Sequence, residues 1–182
     1  GPMPRAIIRR SSPSANHFEH ATAALLAGKH LVVDKPLATT AREADELISL
    51  AESQGLILSV FQNRRWDGDY LTACHSIKQG WLGKVSHYEV HFDRFRPQIK
   101  AGWREEPGAG SGILYDLGAH LIDQSLHLFG MPRAVTADII AQRPGAKVED
   151  YFHLLLDYAP LRVFPPAATL GPPPGPRRRS PA

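Results

Sequence analysis

Helix and strand patterns alternate over short connections between residues 17 and 60, and this alternation constrains the fold more than any other feature. The first helical pattern precedes the apolar run 31–33. The second begins with Thr40 and Glu43, spaced as a capping box, and precedes the apolar run 56–60. Because helical crossovers connect parallel strands, this order predicts a parallel α/β sheet.

The pattern changes after Trp66. Polar and apolar residues alternate over 85–95, which predicts an antiparallel strand with one solvated face. A glycine-rich loop then leads into a long helix over 113–129, and two further strands follow at 134–141 and 151–158. The predicted fold class is therefore α/β in residues 1–62, followed by an α+β domain with an antiparallel sheet in 63–163.

The carboxy-terminal segment has an unusual composition. Of the 18 residues from Pro165 onward, seven are proline, two are glycine and three are arginine. Proline removes backbone donors, and few apolar side chains are present to bury. We expect residues 164–182 to form a disordered Pro/Arg-rich tail.

Composition excludes several classes of partner. Five of the positive charges lie in Arg9, Arg10 and 177–179, and the rest of the chain is slightly acidic, so a nucleic-acid partner is not expected. Cys74 is the only cysteine, which fits a reducing compartment. No apolar run reaches the roughly 18 residues that a membrane span requires. We expect a cytoplasmic protein that contacts no membrane.

The predicted long helix carries an acid–histidine stripe. Asp116, His120, Asp123 and His127 are spaced four, three and four apart and so share one face, opposite an apolar stripe. Such a helix lies between a core and a polar cleft. The stripe also fits a solvated face with ordinary ion pairs, or a metal site formed by Asp116, His120 and Asp123.

Lys35 is a second candidate for chemistry. It follows a buried strand at the carboxyl end, where parallel α/β sheets bind their ligands. Pro36 then restricts Lys35 to an extended backbone conformation. A solvated loop lysine is the alternative.

Four segments carry a resemblance to a known family. Residues 27–36 (AGKHLVVDKP) and 110–123 (GSGILYDLGAHLID) are very similar to two signatures of the glucose–fructose oxidoreductase and inositol dehydrogenase family. Residues 61–67 (FQNRRWD) and 92–97 (FDRFRP) resemble a bacterial branch of uncharacterised oxidoreductases in that family. The resemblance covers residues 11–160.

The resemblance implies a Rossmann-type domain followed by an α/β domain whose open antiparallel sheet mediates homo-oligomer contacts. The family transfers hydride between NAD or NADP and a sugar, polyol or related carbonyl compound. By position, Lys35 hydrogen-bonds the reacting hydroxyl, His120 exchanges its proton, and Asp116 orients the site. No metal is implied.

The resemblance also implies a set of cofactor-binding residues. By position these lie in the loop under the nicotinamide ribose, in the second-strand signature and in the stretch after the last cofactor-side strand: Pro13, Asn16, His17, Asp34, Lys35, Pro36, Gln62, Asn63, Arg65 and Trp66.

Two departures from the family pattern stand out. Asp34 takes the place of the usual glutamate, and no Gly-x-Gly-x-x-Gly precedes a strand in this sequence. We therefore expect a family fragment, truncated at both ends, that binds NAD(P) weakly and has doubtful activity of its own.

Two other functions are compatible with the resemblance. One is a non-enzymatic interaction or oligomerisation module derived from the fold. The other is an NAD-using glycosidase of the same family. For an oligomer, we expect an exposed association surface on the antiparallel sheet, which has lost its later strands and so has an unpaired edge: Tyr88, Val90, Phe92, Leu154 and Leu156.

Overall fold

The computed structural model of the protein describes residues 13–171 and the backbone of residues 7–10. The chain divides into two units. The first runs to Gln62 and includes Gly108–Gly110, and the second comprises Asn63–Pro107 and the residues from Ser111 onward.

The first unit is a parallel sheet with two helices, as the alternating pattern predicts. Its strands are hydrogen-bonded in the order β1-β2-β3, all parallel. The elements in chain order are β1 (Ile7–Arg10), α1 (His17–Leu26), β2 (His30–Asp34), α2 (Ala41–Ser53) and β3 (Leu58–Phe61).

Local signals account for these elements. The capping box at the start of α2 is confirmed: the Glu43 amide donates to Thr40 Oγ1, and Glu43 Oε2 accepts from the Thr40 amide. The apolar sides of helices and strands meet in one core, whose most buried side chains are Leu25, Leu31, Val33 and Leu47.

The second unit combines helices with a mixed, mostly antiparallel five-stranded sheet. The strand order is β4-β7-β6-β5, and β8 pairs with β6. In chain order the elements are α3 (Gly68–Lys78), β4 (His87–Glu89), a π-helical segment (Leu114–Gly118), α4 (Ala119–Phe129), β5 (Ala134–Ile140), β6 (Tyr151–Tyr158), β7 (Leu161–Phe164) and β8 (Ala167–Ala168). The predicted fold class is confirmed.

The expected antiparallel strand over 85–95 is wrong in length and direction. Only His87–Glu89 forms a strand, and it pairs parallel with β7. From Val90 onward, backbone amides continue to donate to carbonyl groups at the end of β7 and beyond it, the first being Val90 N to Phe164 O at 3.1 Å. The direction of β4 is set by the arrival of β7, which alternation within 85–95 does not encode.

The expected exposure of the five side chains at the association surface is also wrong. Leu154 and Leu156 are buried, and Tyr88, Val90 and Phe92 pack against the same core. On β5, by contrast, all seven residues are exposed, including the apolar Val135, Ile139 and Ile140.

The described part of the expected tail is ordered. Pro165, Pro166 and Ala167 are buried, and β8 is part of the sheet. Proline lacks an amide donor but keeps its carbonyl acceptor, and Pro166 O accepts from the Phe92 amide at 3.3 Å. Residues 172–182, which include the arginine run, lie outside the described residues.

Within the described part of the chain, no helix is both long and apolar enough to cross a bilayer.

Candidate active site

Three loops leave the carboxyl ends of the parallel strands in the first unit. The loop after β1 contains Pro13, β2 ends at Asp34 and leads into Lys35 and Pro36, and β3 leads into Gln62. Because the strands are parallel, their carboxyl ends share one edge of the sheet, where α/β folds bind ligands. The structure therefore brings these predicted cofactor residues to one edge.

A hydrogen bond connects the first two loops. His17, the buried first residue of α1, places Nδ1 2.6 Å from the carbonyl oxygen of Pro36. Asn16 closes the turn before α1 by donating its amide to Pro13 O at 2.9 Å. The turn around Asn16 is thus fixed against the loop that carries Lys35.

Gln62 has an unused acceptor at this edge. Its Oε1 atom is buried and accepts no hydrogen bond from the described residues. Leaving such an atom unpaired costs about 1–3 kcal/mol. A ligand that donates a hydrogen bond there would satisfy it.

The residues after Gln62 belong to the second unit and form a 3₁₀ turn, Asn63–Trp66. Arg65 makes a bidentate ion pair with Asp123 on α4. Gln124 Nε2 donates to Arg64 O at 2.9 Å. The turn is therefore attached to α4, and Trp66, 76% exposed, lies open.

Asp116 and His120 lie at a change of helix type. Asp116 falls in the π-helical segment, and His120, which is buried, is the second residue of α4. The expected uninterrupted α-helix is thus wrong in its first turn. Gly118 permits a close approach there, because a β-carbon would lie 3.2 Å from the Phe152 ring. Such π segments occur frequently at functional sites.

Asp116 faces two arginines across a cleft. Arg104 Nε lies 3.3 Å from Asp116 Oδ1, and Arg94 Nη1 lies 4.0 Å from Oδ2. The cleft has a volume of about 430 Å³ and is lined entirely by residues of the second unit. This volume falls in the usual range for small-molecule sites.

A buried ion network supports one wall of the cleft. Arg143 Nε donates to Asp150 Oδ2 at 2.7 Å, and Arg143 Nη2 donates to Glu105 Oε2 at 2.6 Å. Burial alone would raise the pKa of Asp150, but hydrogen bonds from the Gln142 amide and from Arg143 outweigh it and lower the pKa. The network fixes Glu105 in the wall of the cleft.

The sequence interpretation did not select Arg94, Arg104 or Arg143. Arg94 lies in the 92–97 segment, where two arginines two residues apart could have indicated a site for an anion. Arg143 and Asp150 meet only through the fold. The catalytic roles of Lys35, Asp116 and His120, and the cofactor roles given above, stay predictions.

The alternative of a metal site on the acid–histidine stripe can be compared with the contacts that its side chains make. Asp123 is engaged by Arg65, and His127 Nδ1 lies 2.6 Å from Tyr70 Oη. Among the described residues, no group of three or more His, Cys, Asp or Glu side chains is arranged to hold a metal ion.

Two family models match the sequence. The model described as the GFO/IDH/MocA C-terminal domain matches residues 70–163. The model described as an oxidoreductase family with an NAD-binding Rossmann fold matches residues 3–62.

Individual relatives agree with these matches. The chain is 48% identical over 167 residues to scyllo-inositol 2-dehydrogenase (NADP(+)) IolW of Bacillus subtilis, covering 92% of this chain and 47% of the relative. It is 54% identical over 153 residues to the uncharacterized oxidoreductase YdgJ of Escherichia coli, covering 84% and 44%. The solved structure of YvaA from Bacillus subtilis superposes with a TM-score of 0.90 at 47% identity, covering 94% of this chain and 49% of that one. The chain thus spans about half the length of the relatives it matches.

Proposed function

Because the chain belongs to the GFO/IDH/MocA family of oxidoreductases, we propose that it serves hydride transfer between NAD or NADP and a sugar or polyol. The Bacillus subtilis relative, named as a scyllo-inositol 2-dehydrogenase, supports a polyhydroxylated substrate. The observation that carries the proposal is Asp116, which lines the cleft one helical turn before His120.

The carboxyl edge of the parallel sheet fits a nicotinamide cofactor. Gln62 Oε1 is buried there without a hydrogen-bond donor among the described residues, and a nicotinamide nucleotide carries amide and hydroxyl donors. Lys35 and the turn around Asn16 follow strands that end at the same edge. When bound, the cofactor supplies the acceptor or donor of the hydride.

Hydride transfer requires the chain's own residues to move one proton and to stabilise one developing negative charge. A hydroxyl carbon releases hydride only as its oxygen loses a proton, so a base must reach that oxygen. We assign that role to His120, because an imidazole titrates in the working pH range. We assign Lys35 to stabilise the alkoxide-like oxygen with its ammonium, a type of interaction worth roughly 3 kcal/mol per donor.

Asp116 holds the substrate in this proposal. Its carboxylate forms an ion pair with Arg104 and lines the cleft, where it is placed to accept a hydrogen bond from a substrate hydroxyl. A carboxylate that accepts from a hydroxyl forms a charge-assisted hydrogen bond, which is stronger than a neutral one. Removing Asp116 should therefore raise KM.

The proposal is tested in a fusion enzyme that joins this sequence to the flanking segments of the Bacillus subtilis relative. The folded fusion enzyme is incubated with NADP⁺ and scyllo-inositol or glucose, and NADPH formation is followed by absorbance. We expect turnover, with the unmodified relative as positive control. Binding of NADPH without oxidation of any sugar or polyol, accompanied by cleavage of a nitrophenyl glycoside, would favour the glycosidase instead.

A further inference from the structure

The cleft in the second unit carries an excess of positive charge. In addition to the buried Arg143, four arginine and lysine side chains line it: Arg94, Arg96, Lys100 and Arg104. Of the four acidic residues in its lining, Glu105 and Asp150 are engaged by Arg143. Asp116, which pairs with Arg104, and Glu149 are the other two, so five cationic side chains line the cleft against four carboxylates.

Arg94 has hydrogen-bonding capacity that this chain does not use. Within residues 13–171 its guanidinium forms no hydrogen bond, and the nearest carboxylate oxygen, on Asp116, is 4.0 Å away. The side chain is 31% exposed and lines the cleft, so a ligand in the cleft can reach it. Burial, followed by repulsion from Arg96, lowers the pKa of Arg94 despite the attraction of Asp116. A half-buried guanidinium of this kind is a site for an additional anion.

Arg104 is held in position beside Asp116 as well. Its Nε atom contacts Asp116 Oδ1 at 3.3 Å, and its guanidinium carbon lies 4.4 Å from the centre of the Trp103 ring. Stacking on an aromatic face limits the orientations of the guanidinium plane. Two arginines therefore flank the proposed substrate-holding residue.

The wall that presents these cations is fixed by the buried ion network. Besides Asp150 and Glu105, Arg143 approaches the carbonyl oxygens of Arg96 at 3.5 Å and Gln98 at 3.4 Å. Binding an anion there requires little ordering of the loop.

We infer that the cleft binds a polyhydroxylated compound carrying a carboxylate or phosphate, with Arg94 as the anion-binding residue and Arg104 assisting. This substrate class rests on the proposed function for its chemistry. Binding of the anionic compound can be measured separately from hydride transfer, since every residue that binds it lies in the second unit. Relative to a neutral polyol, the anionic group would determine specificity.

The inference is tested by calorimetric titration of the 182-residue chain with D-glucuronate, D-glucose 6-phosphate, D-glucose and inorganic phosphate, without nicotinamide. We expect at least one anionic sugar to bind about tenfold more tightly than glucose, the scale of one charged hydrogen bond. The tighter of the two identifies carboxylate or phosphate as the recognised group. Equal binding of glucose would overturn the inference, as would equal binding of inorganic phosphate.

Variants of the cleft arginines distinguish recognition of the anionic group from a general effect of the chain's positive charge. Arg94→Met should weaken binding of the anionic sugar about tenfold or more and leave glucose binding unchanged. Arg104→Gln provides a second, exposed position if Arg94→Met does not fold. The matched control is Arg42→Gln, which removes one positive charge from an 87% exposed side chain of the first unit and should change nothing. An effect of Arg42→Gln equal to that of Arg94→Met, or no effect of either cleft variant, would overturn the inference.

The two proposals fail separately. If anionic sugars bind but the fusion enzyme transfers no hydride, the proposed function is wrong and the binding site stands. If the fusion enzyme oxidises neutral polyols and the chain binds anionic and neutral sugars equally, the proposed function stands and this inference is wrong.

Discussion

Arg65 binds both carboxylate oxygens of Asp123, with Nε to Oδ2 at 2.8 Å and Nη2 to Oδ1 at 2.6 Å. Asp123 lies three residues after His120, so this pair attaches the Asn63–Trp66 turn to the helix that carries the proposed base. The geometry gives Arg65 a structural task in the second unit, while its expected contact with a cofactor stays a prediction.

Asp123→Asn should lower the free energy of unfolding by about 1 kcal/mol, since the pair is bidentate but its arginine is 42% exposed. Urea denaturation measures this. The control is Glu46→Gln, which removes an exposed ion pair with Arg42 on α2. Equal effects of the two variants would show that the Arg65–Asp123 pair stabilises no more than an ordinary surface ion pair.

Asp150→Asn should be far more destabilising, by about 3–5 kcal/mol, because it leaves Arg143 buried with one of its two carboxylate partners gone. Urea denaturation at neutral pH tests this against Glu106→Gln, which breaks an exposed pair with Lys147. A loss similar to that of Glu106→Gln would contradict the assigned importance of the network.

The loss of stability caused by Asp150→Asn should also depend on pH, and the direction of that dependence follows from the pKa of Asp150. The folded-state pKa of Asp150 is lowered below its unfolded value of about 3.9. The stabilisation is therefore complete above about pH 4 and is lost as pH falls through the folded-state pKa. The difference in unfolding free energy between wild type and Asp150→Asn should narrow as the pH falls from 7 to 3, and a constant difference would refute the assignment.

The sequence predicted what local chemistry determines. The capping box of Thr40 and Glu43 uses atoms three residues apart, so its spacing in the sequence is its geometry in the structure. The alternation of helices and strands likewise predicted the parallel sheet, because the apolar patterns report which side of each element is buried.

Long-range pairing was not predictable in the same way. The parallel direction of β4 depends on β7, more than 70 residues later. The pairing of Arg143 with Glu105 and Asp150 requires loops to converge. The order around Pro166 arises because the Phe92 amide reaches its carbonyl, which the composition of the segment does not reveal.

His127 is expected to matter for stability rather than for turnover. Its Nδ1 atom lies 2.6 Å from Tyr70 Oη, and burial raises the pKa of Tyr70 above the usual range. Tyr70→Phe should lower the free energy of unfolding by about 1 kcal/mol through loss of this hydrogen bond and of the longer one from Tyr70 Oη to Gln124 O at 3.4 Å. Thermal or urea unfolding measures the change, and no loss of stability would mean that the bond is replaced by water at no cost.

The assignment of His120 as the base is tested most directly by the steady-state turnover of the fusion enzyme with His120→Gln, and with His127→Gln as the matched variant on the same helix. His120→Gln should reduce kcat by about 10²–10⁴-fold, the usual contribution of a general base, and leave NADPH affinity unchanged. His127→Gln should retain kcat close to that of the parent. If His127→Gln proves as damaging as His120→Gln, the base assignment is contradicted and a metal-binding stripe along α4 becomes the better explanation.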